Sequence, residues 1–300
     1  MSVSGKRIII ALFTAISLML SVSCGNNSTA KQNSTAQQNT TVKSSTILSG
    51  EAASTQAANT KTESVGLAEK AVQQSTAAEK TSDSSQREEK TLKKVICIDP
   101  GHQTKVNNKT EPLAPTSNEM KVQNPGGAQG VSTGVPEYKL NLAVSEKLKN
   151  ILGQNGYTVV MTRETNDVDL GNIARANIAN DCNADLYIRI HADGMDDSSV
   201  KGISVLVPGS QYIKDKNILS SSKSAARKVL DGLISETGAK SRGIVERNDL
   251  TGFNWAKVPM ILVEMGFMSN PEEDRLMNTD SYRDKIAAGV YEGIKSYFTK

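Results

Sequence analysis

Hydrophobic positions divide the chain into three regimes. Residues 8–20 form a nearly unbroken apolar run, residues 25–91 contain almost no large apolar side chain, and from residue 92 onward short apolar runs alternate with helix-period stripes. The run Val95-Ile96-Cys97-Ile98 reads as a strand buried on both faces. Residues 103–135, rich in Asn, Gly and Pro, show no clear period and read as a long loop of the kind that often carries function. Pro136 suits a first helical turn. Leu140, Val144, Leu148 and Ile151/Leu152 then form an apolar stripe that Gly153 or Gly156 can end. Further strands are predicted at 158–162, 186–190, 202–207 (stopped by Pro208-Gly209) and 260–264, with helices at 170–180, 217–236 and 282–298. Strands alternating with helices predict one α/β domain over residues 92–300, ample for a single core.

The first ninety residues predict export. Lys6 and Arg7 precede the apolar run, which is too short to span a bilayer comfortably, so residues 1–23 read as a signal peptide. Ser21-Val22-Ser23-Cys24 suits ordinary cleavage and release. It also suits lipoprotein processing with Cys24 lipidated, although Ser21 stands where a lipobox usually has Leu. Residues 24–91, rich in Ser, Thr, Ala and Gln, cannot offset their ordering entropy by burial and read as a disordered linker. A formal net charge of +3, dispersed along the chain, argues against a nucleic-acid partner. Cys97 and Cys182 lack a CxxC spacing, and the favoured reading is two small buried residues rather than a disulfide.

Candidate chemistry begins with scarcity, since the chain has only two histidines. His102 follows the first strand of the domain, His191 ends the strand at 186–190, Glu264 ends the last strand, and Glu137 lies in the first turn of the first helix. Strand carboxyl ends are where open α/β sheets build sites. Each residue alone has a plainer reading: a turn cap, a strand-end histidine, a helix N-terminal charge. Glu264 is the hardest to dismiss, because burying an unpaired carboxylate is expensive. Taken together, two imidazoles and one carboxylate would leave a position open on a tetrahedral zinc, as catalytic sites do. Zinc lowers the pKa of bound water to about 7 and polarises a carbonyl. Glu264, outside the coordination sphere, is placed to take the water proton and return it to a leaving nitrogen. The neighbouring Val263, Met265 and Phe267 are expected to exclude water and raise its pKa.

Four segments carry a resemblance: Ile98-Asp99-Pro100-Gly101-His102, Glu137-Tyr138-Lys139-Leu140-Asn141-Leu142, Ile190-His191-Ala192-Asp193 and Leu262-Val263-Glu264-Met265-Gly266-Phe267-Met268-Ser269-Asn270. In this order they resemble the motifs of zinc-dependent N-acetylmuramoyl-L-alanine amidases of type 3, which cut between muramic acid and the first alanine of peptidoglycan. The similarity runs from about residue 93 to residue 298. It implies a single domain with a twisted, mostly parallel but mixed sheet flanked by helices on both faces. It further implies one Zn2+ held by His102, Glu137 and His191, with Glu264 as catalytic acid/base. Some members carry an autoinhibitory helix between the first two motifs, but residues 103–135 have no apolar helical stripe and none is predicted. Gln103 departs from the usual Gly, and Asp193 from a frequent Asn. These departures bear on substrate preference rather than on the metal. Glu111-Pro112, Pro115 and residues 251–255 resemble a subgroup common in spore-forming Gram-positive bacteria. Asn254 and Trp255 are readable as cleft residues, with a packed Trp preferred.

The implied protein is an extracytoplasmic peptidoglycan hydrolase, secreted to the wall or anchored as a lipoprotein, monomeric, and touching the membrane only through an N-terminal lipid. Another zinc amide hydrolase, such as a stem-peptide peptidase, could use the same ligands. A non-catalytic wall-binding lipoprotein would be expected to lack a ligand or the base, and none is missing.

Overall fold

The computed structural model describes residues 93–299; the signal, Cys24 and linker readings lie outside them. In chain order the elements are β1 (Val95–Pro100), β2 (Asn107–Pro112), β3 (Met120–Asn124), α1 (Glu137–Gln154), β4 (Thr158–Met161), α2 (Asn172–Asp181), β5 (Leu186–Asp193) and β6 (Ile203–Pro208). There follow α3 (Lys216–Thr237), β7 (Ser241–Arg247), α4 (Thr251–Asn254), β8 (Met260–Phe267), α5 (Pro271–Met277) and α6 (Asp280–Phe298). Six strands form one sheet in the order β4-β1-β5-β8-β6-β7. β4, β1, β5 and β8 run parallel, β6 is antiparallel to β8, and β7 is parallel to β6. The sheet is therefore mixed and mostly parallel, as the motifs imply.

Side chains alternate across the sheet, and the two faces have different tasks. One carries Ile96, Ile98, Ile188, Ile190, Ile261 and Val263 into the main core, which α1, α3 and α6 cover with stripes such as Leu140, Val144 and Leu148. The opposite face carries Cys97, Tyr187 and Leu262 into a smaller core beneath α2 and α4, where Ala176, Ala179 and Phe253 are buried. Short cover leaves part of this second face open, and Arg189, His191 and Glu264 project from it.

The stretch read as a loop contains the antiparallel β2–β3 hairpin. β2 is polar, and β3 is short, with its two apolar residues, Met120 and Val122, exposed, so no buried apolar face marks either strand. β7 escaped prediction for the same reason: it is an edge strand with only partial burial. Cys97 and Cys182 are free thiols. Among the described residues no helix is long and apolar enough to cross a membrane.

Candidate active site

His102 stands just past β1 with φ of +56°, a left-handed conformation that a non-glycine residue adopts only when its surroundings impose it. Those surroundings are three arginines and a carboxylate. Arg163 donates to the carbonyls of Pro100 at 2.8 Å and Gly101 at 3.0 Å. Arg175 donates to the carbonyls of Pro100 at 2.9 Å and His102 at 3.1 Å. Asp99, fully buried, accepts from Arg175 at 2.5 Å, Arg189 at 2.8 Å, Thr162 at 2.5 Å and Tyr187 at 3.2 Å. Burial alone would raise the Asp99 pKa, but the two guanidiniums and the Thr162 hydroxyl hold it far below the usual carboxylate range. The turn carrying His102 is thus fixed through its own carbonyls.

This network accounts for Gln103. Its Oε1 accepts from Arg175 at 2.6 Å and from the Leu170 amide at 3.2 Å, and the side chain is buried. Its task is to hold the turn rather than to meet substrate. Asn254 and Trp255 are equally structural: Asn254 donates to the Leu113 carbonyl at 3.2 Å and Trp255 to that of Pro112 at 2.9 Å, pinning the end of the hairpin.

Glu137 opens α1 and lies between the two histidines. Its Oε2 is 3.3 Å from His102 Nε2, and its Oε1 is 3.1 Å from His191 Nδ1. It also accepts from the amides of Ala128 and Ala192 and from Asn141 Nδ2. Burial opposes its ionisation, but the His191 bond, the two imidazoles and Asn141 hold its pKa at about 2. Burial pushes His191 the other way, to about 4, so its imidazole is neutral and fit to ligate. The rings of His102 and His191 meet edge-on, with centroids 4.9 Å apart. One ligand-capable atom from each of His102, Glu137 and His191 falls within 4.8 Å of the others. Two glycines make this approach possible. A Cβ on Gly101 would stand 2.2 Å from the His191 ring, and one on Gly127 2.7 Å from Glu137 Oε2.

Glu264 sits opposite His191 in the β5–β8 register. It lies inside β8 on the open face of the sheet rather than beyond the strand end. Its Oε2 is shut off from solvent and has no hydrogen-bond partner among the described residues; His191 Nε2 is in the same condition. Burial, then the charges of Glu137 and Asp193, raise the Glu264 pKa well above the usual carboxylate value. All four residues singled out from the sequence therefore converge. The arginines could not be singled out in advance, because nothing in the local pattern around Arg163, Arg175 or Arg189 marks a guanidinium that will fold against a turn sixty or more positions away.

Two clefts meet at this point. One, of about 530 Å³, runs over the open sheet face past Arg189, Leu262, Arg247 and Thr251. The other, of about 540 Å³, runs past Gly127, Asp193, Met195 and Ser269. His102, His191 and Glu264 line both.

Residues 96–296 match the family model described as N-acetylmuramoyl-L-alanine amidase. The germination-specific N-acetylmuramoyl-L-alanine amidase of Bacillus subtilis is 26% identical over 223 residues, covering 69% of this chain and 81% of that protein. A probable cell wall amidase of Staphylococcus epidermidis is 26% identical over 185 residues, 58% of this chain, and the match spans only 55% of that relative's length. Among solved structures, the apo N-acetylmuramyl-L-alanine amidase of Mycobacterium abscessus superposes with a TM-score of 0.61 at 26% identity, over 69% of this chain and 99% of that one.

Proposed function

The chain belongs to the N-acetylmuramoyl-L-alanine amidase family, and from that premise we propose that it hydrolyses the amide between N-acetylmuramic acid and L-alanine in peptidoglycan, using zinc. The observation that carries this reading is the meeting of a neutral imidazole, a second imidazole and an ionised carboxylate beside Glu264, whose buried oxygen has no partner. Hard and borderline donors in this set suit zinc, and the partnerless His191 Nε2 fits a site that expects a cation. His102, Glu137 and His191 would hold the ion. Bound there, it would supply Lewis-acid polarisation of the scissile carbonyl and acidify water.

The remaining work falls to the chain's own side chains. Hydrolysis adds a water oxygen to the amide carbon and then breaks the C–N bond. Glu264 takes the proton from the attacking water and passes it to the departing alanine nitrogen. Its buried setting keeps bulk water from competing for that proton. A nearby divalent charge would oppose the upward shift of the Glu264 pKa, leaving it able to act as base. Asn141 donates to Glu137 at 3.0 Å and to the Gly101 carbonyl at 3.1 Å, so one amide orients both a ligand and the turn that carries His102.

Residues 1–91 enter this reading from their sequence alone. A signal over 1–23, lipidation or release at Cys24 and a linker over 24–91 would deliver a monomeric domain to the wall side of the membrane. The deciding experiment is incubation of the protein with purified cell wall, with and without chelator, followed by end-group analysis. Alanine amino groups should appear without sugar reducing ends, and zinc should restore what the chelator removes. New amino groups from residues other than alanine would favour a stem-peptide peptidase and reject the amidase reading.

A further inference from the structure

The two clefts that meet at His102, His191 and Glu264 carry opposite charge. Lys121, Arg175, Arg189 and Arg247 line the first, against the carboxylates of Asp249 and Glu264, with Lys121 paired at 2.8 Å to Glu119. The second is lined by Glu137, Asp193, Asp196 and Glu264, with no lysine or arginine. A substrate whose scissile amide joins a neutral sugar to a peptide bearing carboxylates would distribute itself accordingly. This step rests on the amidase reading above.

Within the first cleft the donors are counted unevenly. Asp99 serves both Arg175 and Arg189, so one buried carboxylate faces two buried guanidiniums. Glu111 is within electrostatic reach of Arg189, but its oxygens are occupied by the amides of Asn172 and Ile173 at the start of α2. Arg189 spends Nε on Asp99 and Nη2 on Asn172 Oδ1. Its Nη1 makes no hydrogen bond among the described residues, and it faces Gly252, where a Cβ would stand 2.5 Å away. Arg247 is held at 2.7 Å through Nε and Nη2 by Asp249, which fixes its plane and leaves Nη1 unused. Thr251, 4% exposed, lines the same cleft, and its Oγ1 has no partner among the described residues. A buried hydroxyl without a partner is rare and asks for a ligand or water.

We propose that Arg189, Arg247 and Thr251 form a carboxylate-binding subsite for the stem peptide, selecting substrates in which the second residue keeps a free α-carboxyl rather than its amide. A carboxylate there would accept charge-assisted bonds from preorganised guanidiniums, which a carboxamide cannot match. The neighbouring acidic cleft receives the sugar.

The test is calorimetric binding of two product peptides to the full chain: L-alanyl-γ-D-glutamyl-L-lysine, and the same peptide with the glutamyl α-carboxyl amidated. The free acid should bind roughly tenfold or more tightly. Arg247→Gln and Thr251→Val should each shrink that ratio several-fold, with the amidated peptide affected least. Arg247 sits on an exposed edge strand, so the melting temperature of Arg247→Gln should match the parent and exclude misfolding. Equal affinity for the two peptides, absence of saturable binding by either, or an undiminished ratio in a folded Arg247→Gln protein overturns the subsite. Binding needs no turnover. Failure to release alanine amino groups from cell wall would therefore reject the amidase reading while leaving the subsite result standing.

Discussion

Replacing Asp99 by Asn tests whether one buried carboxylate organises the site. The change keeps the shape of the side chain but removes its charge. Oδ1 now accepts from Arg175 and Thr162, and Oδ2 from Arg189 and Tyr187. Whichever way the new amide turns, its NH2 group faces a guanidinium that also needs an acceptor. Arg175 and Arg189 are 2% and 4% exposed, so water cannot replace the lost charge. Breaking a buried pair by removing one partner costs about 3–5 kcal/mol, a large share of the roughly 5–15 kcal/mol that holds a domain together. Urea denaturation at pH 7 should show that loss with an unchanged slope, and Tm should fall by roughly 10 °C. The pH dependence has a defined sign. The folded pKa of Asp99 is depressed, so its stabilisation is complete above its unfolded value of about 3.9 and is lost as pH falls toward the folded value. The gap between parent and variant should therefore be constant near neutrality and narrow only in acid. A loss below about 1 kcal/mol at pH 7, with metal affinity intact, would refute the reasoning.

Other outcomes follow from the same geometry. Glu264→Gln should bind zinc like the parent, measured by metal titration, yet release no alanine amino groups; full activity would remove Glu264 from the chemistry. His102→Ala should lower zinc affinity by orders of magnitude, and an unchanged titration would count against it as a ligand. Gly101→Ala places a methyl 2.2 Å from the His191 ring and should weaken zinc at least tenfold while leaving the fold measurable by circular dichroism; parental affinity would show that the ring can move freely. Asn141→Ala unties Glu137 and the His102 turn together and should cost about 10–100-fold in metal affinity.

Much of this was legible in order along the chain. Val95 to Ile98, the stripe from Leu140 to Leu152, and Met260 to Val263 announce strands and helices because each buries one face or both. The β2–β3 hairpin and β7 stayed hidden because exposed strands need no apolar alternation. His102, Glu137, His191 and Glu264 were legible because metal and hydrolytic chemistry admit few residue types, and four such residues stood in short motifs of matching order. Gln103 stood out in the sequence only as a departure from the motif; that its side chain is buried and bonded to Arg175 depends on a residue seventy-two positions away.

The sequence by itself determined the alternation of strands and helices, which four side chains to look for at one place and the family the chain belongs to, since local periodicity and rare residue types are properties of the chain. Only the tertiary structure decided that Arg163, Arg175 and Arg189 gather at one turn and that Gly101 clears space for His191. It alone showed that two clefts of opposite charge meet at Glu264. These are relations between residues sixty or more positions apart, ninety in the case of Asp99 and Arg189, and no local pattern records them, because the energy of a buried charge depends on what folds against it.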